Sequence, residues 1–71
     1  MPNITVELLK GRTVEQRREF VRRVTDDAVE CLNARRESVR ILLVEIDPSD
    51  VANGGVFVAD EGKVRTAPAQ A

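Results

Sequence analysis

Two apolar runs flank a single helical stripe, and that order limits what this chain can fold into more than any other feature. Residues 3–9 alternate, with Ile4, Val6 and Leu8 on one side and Thr5, Glu7 and Leu9 on the other, which is the period of a strand. Residues 39–46 are apolar on both sides apart from Arg40 and Glu45, the texture of a strand buried on both faces and hence of a parallel pairing. Between the runs, Thr13 and Gln16 have the spacing of a capping box, so a helix is expected to start at Val14. Its apolar positions Val14, Val21, Val24, Ala28, Cys31 and Leu32 fall on one stripe, while Arg17, Arg18, Glu19, Arg22, Arg23, Asp26 and Glu30 occupy the rest. Residues 33–36 contain neither Pro nor Gly, so the helix end is set only to within a few residues. Strand, helix and strand in this order make a right-handed crossover with the two strands as parallel neighbours.

Such a unit cannot cover its own faces. At 71 residues the chain has room for one domain, and a domain of this size needs a disulfide, a metal or partner subunits to become firmly stable. Cys31 is the only cysteine and there is no histidine, so neither an internal disulfide nor a structural zinc site can form. Oligomerisation remains. Beyond Pro48, Asn53-Gly54-Gly55 is a turn signal followed by the apolar run Val56-Phe57-Val58, which suits a small hairpin or an arm reaching to a neighbour. The expectation is an α+β fold: a βαβ domain over residues 1–59, and a loose, polar tail over 60–71.

The same composition narrows the function. Without histidine, every scheme that rests on an imidazole base is excluded. A net charge of −1 with two Phe, no Tyr and no Trp offers neither a basic surface nor a stacking platform, so nucleic acid is not an expected partner. No apolar run approaches the roughly 18 residues of a membrane span, and no basic stretch followed by an apolar one opens the chain, so the expected location is the cytoplasm.

Three residues stand out chemically. Pro2 follows the initiator methionine, which is generally removed before a small residue, and removal leaves a secondary amine. A terminal amine has an ordinary pKa of about 8, and nearby cations or burial bring it toward the value near 7 that serves a general base. The plain alternative is that proline is a common second residue. Arg12 lies between a strand end and a helix N-terminus, where the macrodipole disfavours a cation; it is either a solvated loop residue or half of an anion site. Arg40 interrupts an apolar strand, and a buried guanidinium needs acceptors, either Glu45 or Glu7 or the carboxylate of a ligand. At about 3.3 Å per residue, Pro2 and Arg12 lie on the order of 25 Å apart in one chain, so a site using both has to be assembled across subunits.

Pro2, the alternating strand, Leu9-Lys10-Gly11-Arg12-Thr13 with Glu15-Gln16-Arg17, Ser38-Val39-Arg40-Ile41 with Glu45, and Asn53-Gly54-Gly55 together resemble the 4-oxalocrotonate tautomerase family, from Pro2 to about Gly55. The resemblance implies a βαβ unit with a C-terminal hairpin, dimers with a four-stranded sheet, and hexamers. It implies a cofactor-free isomerase in which Pro2 is the base, Arg12 holds a substrate carboxylate, and Arg40 from another subunit binds the oxygens at the opposite end and polarises the carbonyl. The implied substrate is a small unsaturated or 2-oxo carboxylic acid, lodged against Leu9, Val51 and Asn53. Val51 stands where the well-studied tautomerases carry phenylalanine, so the pocket wall is smaller and less aromatic. Asn53 stands where related dehalogenases carry a water-activating carboxylate, with Asp47 and Asp50 nearby. Two alternatives accompany the tautomerase reading: a cofactor-free hydratase or dehalogenase of unsaturated acids, and a non-catalytic subunit of a mixed hexamer.

Overall fold

The ladder between the two long strands organises the chain. In the computed structural model, which describes residues 1–61, β1 (Asn3–Leu9) and β2 (Arg40–Ile46) pair in parallel, from Asn3 opposite Arg40 to Leu9 opposite Ile46. Backbone bonds extend the ladder at both ends: Arg40 N–H donates to Pro2 O at 2.9 Å, and Lys10 N–H donates to Ile46 O at 3.0 Å. Facing residues of a parallel pair project to the same side. Ile4, Val6 and Leu8 therefore share a face with Ile41, Leu43 and Glu45, while Thr5, Glu7 and Leu9 share the other with Leu42, Val44 and Ile46.

The connecting helix, α1 (Val14–Leu32), lies over the first of these faces. Its start is the expected capping box: Gln16 N–H donates to the Thr13 hydroxyl at 3.0 Å, and Thr13 N–H donates to the Gln16 side chain at 2.9 Å. Its end is marked by Asn33 in the left-handed region, φ 56°, a conformation that asparagine tolerates better than most residues. Glu19, Arg22, Asp26 and Arg23 form an ion network on the solvent side of α1, with Arg22 and Arg23 both on Glu19. Hydrogen bonds from Arg22 and then Arg23 hold the Glu19 carboxyl below its ordinary pKa. Asp26 also takes Arg36 at 2.5 Å, which ties the helix to the 3-10 turn Arg36–Ser38 that leads into β2.

That turn corrects one expectation. Val39 N–H donates to Arg36 O at 3.2 Å, so it closes the turn instead of joining the ladder, and β2 begins at Arg40. A second 3-10 turn, Pro48–Asp50, follows β2. The short strands β3 (Ala52–Asn53) and β4 (Val56–Phe57) then form the antiparallel hairpin expected from the glycine pair. Gly54 and Gly55 both have positive φ, 60° and 83°, as a primed two-residue turn requires. Val58 N–H donates to Val51 O at 2.9 Å and closes the hairpin base. A third 3-10 turn, Val58–Asp60, ends the described chain; from residue 62 onward the expected tail lies outside the described residues.

Packing within one chain is thin. Among the described residues only Ala28 is fully buried, at 5% exposure, while Phe20, Leu42 and Phe57 are each more than 40% exposed. The second face of β2, expected to be buried, has Leu42 open to solvent. The sheet has two strands, so β1 and β2 each keep one unpaired edge.

Two outcomes follow from this packing. Thr13→Ala removes the hydroxyl that caps α1 and should cost about 1 kcal/mol, read as a lower urea midpoint. The unfolding midpoint of the unaltered chain should rise with protein concentration if the uncovered apolar faces are buried against a second molecule; a midpoint unchanged over a hundredfold dilution contradicts this.

Candidate active site

The ladder carries the residues of interest to opposite ends of the sheet. Pro2 and Arg40 lie at the N-terminal end, joined by the Arg40 N–H bond to Pro2 O. Pro2 is half-buried, and Met1 before it is 75% exposed, so loss of the methionine removes little packing. Arg40 is exposed, which corrects the expectation of a buried guanidinium. It is the first residue of β2 and lies at the sheet rim. Nor does it pair with Glu45 or Glu7: Glu45 is taken by Arg17 at 3.3 Å, and Arg40 forms no ion pair among the described residues.

Arg12 lies at the other end, beyond Leu9, in the connection between β1 and α1. Seven strand residues separate it from Pro2, and at about 3.3 Å each the two are on the order of 25 Å apart. Gly11, at φ 122°, turns the chain there in a conformation that favours glycine. Lys10 pins the loop from one side by its N–H bond to Ile46 O and by an ion pair to Asp47 at 3.5 Å. The capping box pins it from the other. Arg12 lines a cleft of about 260 Å³ with Val6, Leu8, Gln16 and Phe20. The guanidinium forms no ion pair among the described residues and stands near the positive end of α1. An uncompensated cation beside an apolar cleft is suited to a small organic anion.

Leu9 and Val51 meet in a second cleft at this end, about 210 Å³ in volume, with Glu7, Leu8, Ile46 and Val58. Its walls are aliphatic, and among the described residues Glu7 supplies its one ionisable group. Leu8 lines both clefts. Asn53 is exposed in β3, paired with Val56, and does not line either cleft. Asp47 accepts from Ser49 N–H at 2.9 Å and from the Ser49 hydroxyl at 2.7 Å, so it caps a turn.

One chain thus brings Pro2 to Arg40 and Leu9 to Val51, and it keeps Pro2 from Arg12. Sequence reasoning missed Phe20 and Gln16 as walls of the Arg12 cleft; the steps of four from Arg12 to Gln16 and from Gln16 to Phe20 were the available signal. It also missed Glu7 in the Val51 cleft. Among the described residues no cluster of His, Cys, Asp and Glu could hold a metal ion, and no helix is long and apolar enough to cross a membrane.

Comparison with known proteins decides the family: residues 2–61 match the sequence profile of tautomerase enzymes. The chain belongs to the tautomerase family. A probable tautomerase of Listeria monocytogenes is 35% identical over 60 residues, 84% of this chain and 98% of that protein. Among solved structures, one from a study of the 4-oxalocrotonate tautomerase isozymes of Methylibium petroleiphilum superposes with a TM-score of 0.82 at 38% identity, covering 86% of this chain and 95% of that one. A chain of the heterohexamer 4-oxalocrotonate tautomerase from Chloroflexus aurantiacus superposes at 0.78 with 27% identity, covering 84% and 97%. The βαβ unit and its C-terminal hairpin are thus the fold of this tautomerase family.

The anchoring of the Arg12 loop has a pH signature. Hydrogen bonds from the Ser49 hydroxyl and N–H, with Lys10 adding to them, hold the Asp47 carboxyl below its ordinary value of 3.8. A carboxyl depressed in the folded state stabilises above its unfolded pKa, and that stability is lost as pH falls through the lower folded value. Asp47→Asn should therefore leave less stability to lose below about pH 4, seen as a flatter acid limb of Tm against pH.

Proposed function

We propose that this protein is a cofactor-independent isomerase that moves a proton within a 2-hydroxydienoate or 2-oxo acid, with the Pro2 nitrogen as general base. One observation carries the reading. In a chain of the tautomerase family, the half-buried Pro2 lies at one end of the sheet, and an unpaired Arg12 opens on an apolar cleft at the other, so the two meet only between chains. The two ends combine when chains assemble, as dimers with a four-stranded sheet and then as hexamers. The uncovered faces of the single chain support this assembly.

In the assembled site, Pro2 nitrogen takes the proton from the dienol hydroxyl or the carbon next to the carbonyl. Taken from carbon, the proton leaves an electron pair that delocalises onto the carbonyl oxygen; taken from the hydroxyl, it leaves a pair on oxygen that re-forms the carbonyl and shifts the charge to the far carbon. The same nitrogen then returns the proton one or more carbons along, so atoms balance without a co-reactant. Arg12 holds a carboxylate, and Arg40 of another subunit stabilises charge on the carbonyl oxygen. Charge stabilisation by preplaced donors is the larger share of such catalysis, with proton relay adding about a hundredfold to ten-thousandfold. The aliphatic wall of Leu9, Ile46, Val51 and Val58 receives the carbon chain. Val51 leaves room there for a bulkier substituent than an aromatic side chain would.

A second reading has a specific observation behind it. The Chloroflexus neighbour is a heterohexamer, and a chain with divided half-sites suits mixed assembly. On that reading this chain contributes walls to a partner's site, and activity appears only when a paralogous chain is added. The hydratase or dehalogenase reading finds less support, because the exposed Asn53 offers no carboxylate to activate water.

Intact-protein mass spectrometry of the purified chain should show a mass short by one methionine. Ketonisation of 2-hydroxydienoates and of phenylenolpyruvate should then be measurable by absorbance. Pro2→Ala should lower kcat by at least about a hundredfold with the oligomer intact, and Arg40→Ala should raise KM, lower kcat or both. A fully active Pro2→Ala protein rejects the mechanism. A retained methionine with activity only beside a paralogue establishes the second reading.

A further inference from the structure

Among the described residues, one ion pair joins α1 to the sheet, Arg17 on Glu45 at 3.3 Å. Glu45 is polar on a face otherwise made of Ile4, Val6, Leu8, Ile41 and Leu43. Arg17 is half-buried, and its Nε is buried without a hydrogen-bond partner. Each adjoins a residue of the Arg12 cleft. Glu45 faces Leu8 across the ladder, and Leu8 lines the Arg12 cleft together with Gln16, the residue before Arg17. Arg17 also belongs to the first turn of α1, where its N–H donates to Thr13 O at 3.1 Å.

We propose that Glu45 and Arg17 are positioning residues for Arg12: the pair fixes the first turn of α1 on the end of β2 and keeps Arg12 the free guanidinium at the cleft. Lys10 ties the β1 side of the loop, and Arg17 ties the α1 side. With both in place, Arg12 has a defined origin from which to reach a carboxylate. Without Glu45, a second guanidinium with an unpartnered Nε stands one residue from the cleft wall. It competes for the same anion and pulls the first turn away from the sheet. Removing Glu45 leaves the half-buried Arg17 without its ion-pair partner, so the disturbance falls on the helix turn that carries the Arg12 loop.

The inference rests on Arg12 as the carboxylate ligand, and the test separates the two. Glu45→Gln should raise KM for phenylenolpyruvate roughly tenfold with kcat within about twofold, in protein that elutes as the same oligomer. Arg12→Ala should raise KM by more, and Glu45→Gln added to Arg12→Ala should change KM little further, because residues acting through one another are not additive. The exchange Arg17→Glu/Glu45→Arg should bring KM back toward the unaltered value, and it keeps the test open if Glu45→Gln fails to assemble. An unchanged KM in assembled Glu45→Gln overturns the inference. So does a full tenfold loss on top of Arg12→Ala, or an exchange variant that assembles with KM still raised. An Arg12→Ala protein with unaltered KM overturns the role of Arg12 itself.

Discussion

The parallel register of β1 and β2 is the constraint on which the rest of the structure depends. Parallel strands need a long crossover, and α1 supplies it over the face of Ile4, Val6, Leu8, Ile41 and Leu43. The register also has two ends of different character. At one, the ladder closes between Pro2 and Arg40; at the other, it closes between Lys10 and Ile46. A one-residue slip would turn Ile4, Val6 and Leu8 away from the helix, and it would also separate Pro2 from Arg40. The same row of backbone bonds therefore sets both the fold and the ends at which Pro2 and Arg12 are carried.

That row organises the chain without covering it. A sequence that is 42% hydrophobic has one fully buried residue among those described, Ala28. The hydrophobic effect scales with area removed from water, so the apolar side chains left open represent stabilisation that a single chain does not realise. Phe20 illustrates the double use of such a surface. It is 42% exposed, and it walls the cleft that Arg12 opens on. In the assembly proposed above, such a side chain would be open to another chain as well as to the pocket.

Much of this was legible in the sequence, for local reasons. The alternation of residues 4–8, the Thr13–Gln16 box and the glycine pair at 54–55 are short-range signals, and each element appeared where its signal stood. The helix end was legible in principle, since Asn33 is the residue in that stretch most tolerant of a left-handed cap. What stayed hidden depends on contacts distant in sequence. Arg40 read as buried because its neighbours are apolar, yet it is the first rung of the ladder and lies at the rim. Glu45 read as a partner for Arg40, yet it takes Arg17 from the helix, and no local pattern encodes that choice. Val39 read as strand until the turn before it claimed its N–H. That Pro2 and Arg12 lie at opposite ends was legible from the length of the strand between them; that Arg40 joins the Pro2 end and Val51 meets Leu9 was not, because that follows from pairing.

The division of the site has a consequence at the level of genetics. On the proposed reading, a chain damaged at Pro2 still carries a sound Arg12 end, and a chain damaged at Arg12 still carries a sound Pro2 end. Co-expressed, two inactive alleles would complement one another within a single assembly, since some sites would draw both sound halves. The converse also holds: a defective chain incorporated beside normal ones would spoil sites on more than one neighbour. Inheritance of a trait built on such a protein would therefore follow the geometry of assembly more closely than the count of functional gene copies.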